Sequence, residues 1–188
     1  NADIVKANTI EIYPDNKKIN SQMNYLIAKN QNKMLFFSHW WSAIYKKEMI
    51  DKYSISFPEQ CPKGQDLVFL CKSLLASTSL ELIDDIYYYY YHRENSLSFG
   101  KIPPPHYLSA LKTYVISLDA VEKARHRLID DEYCAIYLKI LEENVVTIFR
   151  VDDEKLRLQG INQLIDYYLK CVNVSNFDKI FNYGLLIP

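Results

Sequence analysis

The sequence predicts an α+β protein that is predominantly helical, with a small mixed sheet followed by an antiparallel helical bundle. Residues 3–13 alternate in polarity and are rich in β-branched side chains, and residues 80–91 combine β-branched and aromatic side chains without Gly or Pro. Both patterns favour strands. Beyond the proline-rich hinge at 100–105, apolar residues recur at the i, i+3, i+4 spacing of amphipathic helices. The hinge therefore separates a mixed region (1–100) from a helical region (101–188).

The same spacing and the local start signals predict the individual helices. Gly64 and Gln65 precede Asp66 and a long apolar run, and an acidic residue is favoured where the amide groups of a helix N-terminus are free. Short polar connections after the hinge suit antiparallel neighbours. Besides the helix that starts at Gly64, helices are predicted over 19–30, 41–52, 107–128, 132–150 and 154–172, with a last helical turn over 176–183.

Composition excludes several classes of protein. The 188 residues are 49% hydrophobic and carry 22 basic and 23 acidic side chains, a net charge of −1. No basic excess points to a nucleic-acid partner. Only four glycines occur, and no glycine-rich phosphate-binding motif is present. The four cysteines are widely spaced and predict free thiols, and no apolar run reaches the ~20 residues of a membrane span. We therefore expect a cytoplasmic protein.

One succession of motifs is more informative than any single motif. Trp40 and Trp41 lead into a basic helical segment, and Gly64-Gln65-Asp66 opens the next helix. The strand-like segment that follows ends in five tyrosines at 87–91 and closes on the polar loop 92–98. This order resembles the acceptor-side half of family 2 glycosyltransferases of the GT-A fold. In the sequences of those enzymes, a lysine- and tyrosine-rich helix is followed by an aromatic-proline turn and a Gly-Glu-Asp motif. A strand with a Tyr-Tyr pair comes next and ends at a polar loop.

The resemblance implies a bacterial hexosyltransferase. Residues 1–100 would be the C-terminal, acceptor-side part of the GT-A domain, and 101–188 a helical extension. The full-length enzyme would transfer a sugar from a nucleotide-sugar to a glycan hydroxyl in surface polysaccharide or lipopolysaccharide synthesis. It would use divalent Mn or Mg and would lie in the cytoplasm, at the inner membrane face if it associates peripherally.

The metal-binding Asp-x-Asp motif that the resemblance implies does not occur in the chain, where the aspartate pairs are adjacent. We therefore expect a fragment that lacks most of the donor site. Such a fragment would have no transferase activity and no cofactor of its own.

The resemblance also assigns roles to particular residues. Asp66 matches the general base that deprotonates the acceptor hydroxyl, although an aspartate there is also an ordinary helix cap. Gln65 stands where the family has glutamate and would contact substrate without acting in catalysis. Trp40 and Trp41 would line the acceptor pocket, since aromatic faces stack on sugar rings, but core packing is the alternative role for at least one of them.

His92 and Arg93 follow the tyrosine strand, where the resemblance implies a loop beside the donor diphosphate. A neutral histidine can ligate a metal and an arginine can contact phosphate oxygens in a bidentate manner. His92 is therefore predicted as metal ligand and substrate contact, and Arg93 as substrate contact. The alternative for both is a solvated polar loop.

A different class of function is also consistent with the sequence. The region after residue 105 carries no constellation of catalytic side chains. It could instead be a helical protein–protein interaction module without catalysis.

Overall fold

The computed structural model describes residues 2–20, 40–93 and 102–171 of the chain. These residues form four strands and five α-helices, with short 3₁₀ turns at Trp40–Ser42 and Arg125–Arg127. The strands are β1 (Ile4–Ile12), β2 (Lys18–Asn20), β3 (Ala43–Tyr45) and β4 (Leu80–Tyr91). The helices are α1 (Lys47–Lys52), α2 (Gln65–Ala76), α3 (Pro104–Ala124), α4 (Asp130–Phe149) and α5 (Glu154–Cys171).

Strand β1 is the centre of a mixed sheet. One edge of β1 pairs antiparallel with β3 at residues 4–6 and with β2 at residues 10–12. Its other edge pairs in parallel with β4 along its whole length, interrupted by a register shift between Ala7 and Asn8. Beyond this irregularity Thr9 pairs with Tyr88 and Glu11 with Tyr90. Because parallel register partners share a face of the sheet, these polar and aromatic side chains lie together.

The fold class predicted from the sequence, α+β and predominantly helical, is confirmed. The strand predicted over 80–91 has those bounds, and the helix predicted after Gly64 is α2. The three helices predicted after the hinge are present as α3, α4 and α5. Helix α3 begins earlier than predicted, at Pro104, because proline fits the first turn of a helix, where its missing N–H would have no acceptor within the helix.

Two helix predictions in the first part of the chain are wrong in part. Residues 41–52 do not form one helix, since Ala43–Tyr45 is strand β3 and only Lys47–Lys52 is helical. Pairing with β1 satisfies the backbone groups of β3 and prevails over a weak local helix preference. The helix predicted over 19–30 is wrong at its start, which is strand β2. Its remainder and the turn predicted over 176–183 lie outside the described residues.

One cluster of buried side chains runs from the sheet through α2 into the bundle. It includes Ile4 of β1, Leu74 of α2, Leu118 of α3 and Ile140 of α4, each at most 1% exposed. Hydrogen bonds between α3 and α4 show that these two helices are antiparallel. Tyr114 of α3 bonds to Glu143 in the C-terminal part of α4, whereas Glu122, later in α3, bonds to Tyr133 near the start of α4. Among the described residues, none of the helices combines the length and apolarity that crossing a bilayer requires.

A second, smaller cluster lies where α5 packs on α3 and α4. It is built around Tyr107 and Ile148, which are 0% and 2% exposed. Gly160 of α5 allows the close approach, because a Cβ there would overlap Tyr107 Oη and would lie 3.1 Å from Ile148 Cγ1. The Tyr107 hydroxyl has no hydrogen-bond partner among the described residues. This hydroxyl is therefore an obstacle to any larger residue at position 160.

Gly160→Ala is expected to lower the free energy of unfolding by about 1–3 kcal/mol, as overpacking does in a filled core. Tyr107→Phe in the same chain should restore part of the loss, since it removes the overlapping oxygen and leaves no buried polar atom unpaired. Urea unfolding of the two single variants and the double variant measures this coupling. Strictly additive losses would contradict the packing described for Gly160.

Candidate functional site

Asp66 lies in the first turn of α2 and is exposed to solvent. Gly64 precedes the helix with φ 81°, in the left-handed region that glycine adopts without strain. Asp66 Oδ1 accepts a hydrogen bond of 3.0 Å from the backbone N–H of Leu67. Gln65 is exposed beside it. The carboxylate therefore stands at the open end of a buried helix, with one oxygen committed to its own helix.

Charged side chains at the C-terminal part of α4 lie within electrostatic range of Lys63, which precedes this turn. Lys63 is only partly exposed, and burial lowers its pKa; the charge of Arg150 lowers it further, while Asp66 and Glu143 oppose that shift. Burial also raises the pKa of Tyr114, whose hydroxyl donates to the carbonyl of Glu143 at 2.8 Å. The charge of Asp66 adds to that rise. The charge of Asp66 is thus felt by Lys63 beside it and by Tyr114 of α3.

The two tryptophans of the Trp40–Ser42 turn contact different parts of the fold. The Trp40 ring packs edge-on against Phe57 and Phe69, with centroids 4.9 and 5.9 Å away. Phe69 is three residues after Asp66 on α2, so the two share one helix face. Trp40 is therefore part of an aromatic cluster one turn from the candidate base.

Trp41 lies on the sheet. Its ring stacks on Tyr90 of β4 at 4.6 Å with an interplanar angle of 12°, and it also contacts Tyr88 at 4.5 Å. Tyr90 in turn contacts the His92 ring edge-on at 4.8 Å. A continuous series of ring contacts therefore runs from Trp41 to the end of β4.

His92 is held by residues of β1 and of the segment that follows it. Its Nε2 is 2.8 Å from Glu11 Oε2, and its ring stacks on Tyr13 at 4.1 Å. Tyr13 Oη donates to the same Glu11 oxygen at 3.0 Å, and this bond raises the pKa of Tyr13, because ionisation would place a phenolate beside the carboxylate. The backbone N–H of His92 donates to Ile12. Arg93 is exposed immediately beyond.

The predicted residues therefore fall into two groups that the Trp40–Ser42 turn connects. Trp40 belongs with Asp66 and Gln65 on the α2 side, and Trp41 belongs with His92 on the sheet side, next to Arg93 in sequence.

A metal site is not complete within the residues that the structure describes. None of these residues belongs to a cluster of three or more His, Cys, Asp or Glu side chains suited to hold a cation. His92 and Glu11 offer two suitable donors, but they are engaged with each other through Nε2 and Oε2.

Several residues of the site were not identified from the sequence. Glu11 and Tyr13 reach His92 only because β1 and β4 pair in parallel. Glu143 and Arg150 come near Lys63, three residues before Asp66, only because the bundle packs on α2. Residues two apart in a strand share a face, but nothing local indicates which strand lies beside Glu11 and Tyr13.

No protein-family model matches the sequence, and no curated protein matches it. The comparison with solved structures shows that this chain shares its fold with a protein of known structure. The similar protein is S. aureus TarS, solved as residues 1–349 in complex with UDP-GlcNAc, with 17% sequence identity and a TM-score of 0.61. The match covers 91% of this chain and 50% of that of TarS. The chain thus spans about half of its structural neighbour, with which it shares the fold.

Glu11→Gln is expected to lower the pKa of Tyr13 toward the usual tyrosine value of about 10, because the charge that opposes ionisation is removed. A pH titration followed by ¹³Cζ tyrosine resonances measures the shift, and Tyr13→Phe assigns the signal. Glu81→Gln, which changes an exposed glutamate of β4, is the matched control. An unchanged Tyr13 titration in Glu11→Gln would refute the contact.

Proposed function

We propose that this chain is the acceptor-side part of a family 2, GT-A glycosyltransferase of a bacterium. The full-length enzyme would transfer a hexosyl group from a nucleotide-sugar to a glycan hydroxyl in surface polysaccharide or lipopolysaccharide synthesis. The observation that carries this proposal is the fold shared with TarS over 91% of the chain. UDP-GlcNAc, to which TarS is bound in that structure, is a nucleotide-sugar.

Asp66 is the proposed general base. Transfer to a hydroxyl requires removal of its proton as the oxygen attacks the sugar carbon, and a carboxylate within hydrogen-bond reach can accept that proton. Asp66 is exposed, so an acceptor can approach it, and it projects from the start of a helix that is buried from Val68 onward. A rigid support of this kind keeps a reacting group oriented.

The two tryptophans of the Trp40–Ser42 turn suit a saccharide. Trp40 and Trp41 are both partly exposed while held by ring contacts, and a fixed indole loses little conformational freedom when a sugar stacks on it. Gln65 is exposed next to the base and can hydrogen-bond a hydroxyl. We assign these three residues to acceptor binding.

His92 and Arg93 are the proposed contacts to the donor diphosphate. A positively charged guanidinium matches phosphate oxygens, and Arg93 is exposed at the end of β4. A divalent Mn or Mg ion remains part of the proposal for the full-length enzyme, with His92 as one ligand. Its other ligands would come from the diphosphate and from residues outside this chain, so we propose no activity for the chain alone.

The alternative is a helical interaction module without catalysis. Exposed apolar side chains on α4 and α5, such as Phe149 at 70% and Leu158 at 54% exposed, leave room for a protein partner. We favour the enzyme because α3 and α4 share a core with α2, whose first turn carries Asp66. The proposed location is the cytoplasm, with peripheral association at the inner membrane face.

Asp66→Ala in the full-length protein is expected to reduce kcat by about 10²–10⁴-fold, the usual contribution of a general base. The measurement is release of UDP from UDP-GlcNAc in the presence of Mn²⁺ and a cell-envelope glycan fraction. Folding is checked by thermal unfolding of the same sample.

Asp51→Ala is the matched control, since Asp51 is an exposed aspartate of α1 that pairs with Lys47 at 2.7 Å. It should retain wild-type turnover. Undiminished UDP release by Asp66→Ala would exclude Asp66 as the base, and an equal loss in Asp51→Ala would show that the effect is not local.

A further inference from the structure

We propose that Ser109 of α3 is a positioning residue for Asp66, so that the helical bundle forms part of the acceptor site. This inference rests on the proposed function, because it names the residue that holds the proposed base in place. It follows from contacts between α3 and the turn that begins α2.

A single hydroxyl group fixes the residue before Gly64. Ser109 Oγ accepts a hydrogen bond of 3.1 Å from the backbone N–H of Lys63 and donates one of 3.2 Å to the carbonyl of the same residue. Ser109 is 8% exposed, so water competes little for these bonds. Both backbone groups of Lys63 are thereby tied to α3, which lies 46 residues further along the chain.

One turn later, α3 also packs against Gly64 itself. Thr113 Oγ1 occupies the space that a Cβ at position 64 would take. Thr113 is fully buried, and its hydroxyl donates to the carbonyl of Ala110 at 2.7 Å, which fixes its rotamer. Ser109 and Thr113 are four residues apart and so lie on one face of α3. This face fits the Lys63–Gly64 turn in both hydrogen bonding and shape.

The consequence for Asp66 is geometric. Asp66 follows Gly64 by two residues, and a left-handed residue directly before a helix sets the direction in which its first turn starts. Loosening the backbone at Lys63 would let that turn shift, and a shift of about 1 Å at a reacting group can cost on the order of 10²-fold in rate. Ser109 would act on the reaction through this orientation, without touching the substrate.

The first part of the test measures the turn itself. Ser109→Ala should speed hydrogen exchange of the Lys63 amide by about tenfold, as expected for loss of one buried hydrogen bond. Ser109→Thr keeps the hydroxyl and should restore protection. Ser117→Ala is the matched control, because Ser117 is a fully buried serine of the same helix whose hydroxyl has no partner in the described residues. Exchange at Lys63 should not change in this control.

The second part uses the full-length protein and UDP release from UDP-GlcNAc. Ser109→Ala should lower kcat by about tenfold while the KM for UDP-GlcNAc stays constant, since the change concerns the base and leaves donor contacts intact. Ser109→Thr should have most of the wild-type rate, and the control Ser117→Ala should have all of it. If Ser109→Ala does not fold, Ser109→Cys tests the same bond with a weaker hydrogen-bonding atom.

The outcomes distinguish a failure of the positioning role of Ser109 from a failure of the proposed function. Wild-type kcat in Ser109→Ala, alongside a loss in Asp66→Ala, would overturn the positioning role and leave the proposed base intact. Equal losses in Ser109→Ala and Ser117→Ala would also overturn it, because they indicate general destabilisation. No UDP release by the wild-type protein would overturn the proposed function, whereas full turnover by Asp66→Ala would exclude Asp66 as the base and with it the positioning role of Ser109. In either case the exchange data would still show whether Ser109 holds the turn.

Discussion

Burial of α2 between the sheet and the bundle is the constraint on which the rest of the structure depends. Val68 and Leu74 of this helix are completely excluded from solvent, and full burial of such a side chain contributes about 1.5–3 kcal/mol. The cluster that contains Leu74 extends to Ile4 of the sheet on one side and to Leu118 of α3 on the other. Because one helix supplies the shared apolar surface, the sheet and the bundle are oriented relative to each other through it.

The same constraint explains why the polar site lies at the start of α2. Most side chains of the later turns are apolar and buried, and the exposed polar residues of α2, Gln65 and Asp66, lie in its first turn. Burial of the helix body limits motion of that turn, and α3 restrains it from the side through Ser109. The candidate base is thus exposed and rigid together, a combination that a free loop would not give.

The sequence predicted best those elements whose signals are local and long. Strand β4 has the predicted bounds because twelve residues without Gly or Pro leave little ambiguity, and α2 begins where Gly64 indicated. Strand β3 was missed, since three residues carry little preference and are extended only by pairing with β1. The same difference between local signals and long-range contacts holds for the site. Asp66 could be selected because the Gly64-Gln65-Asp66 motif at its helix start resembles the family signature, whereas the contact of Glu11 with His92 joins residues 81 positions apart.

Two adjacent tryptophans illustrate how a short segment can connect distant parts of a site. In a tight turn successive side chains point in different directions, so Trp40 reaches Phe69 of α2 while Trp41 stacks on Tyr90 of β4. Each indole is fixed by rings from a different layer, and each keeps part of its surface in solvent. Moving the turn would require breaking both sets of ring contacts together. The spacing between the α2 side and the β4 side of the site is therefore set by the core, and a saccharide bound there would meet aromatic surfaces that are already in place.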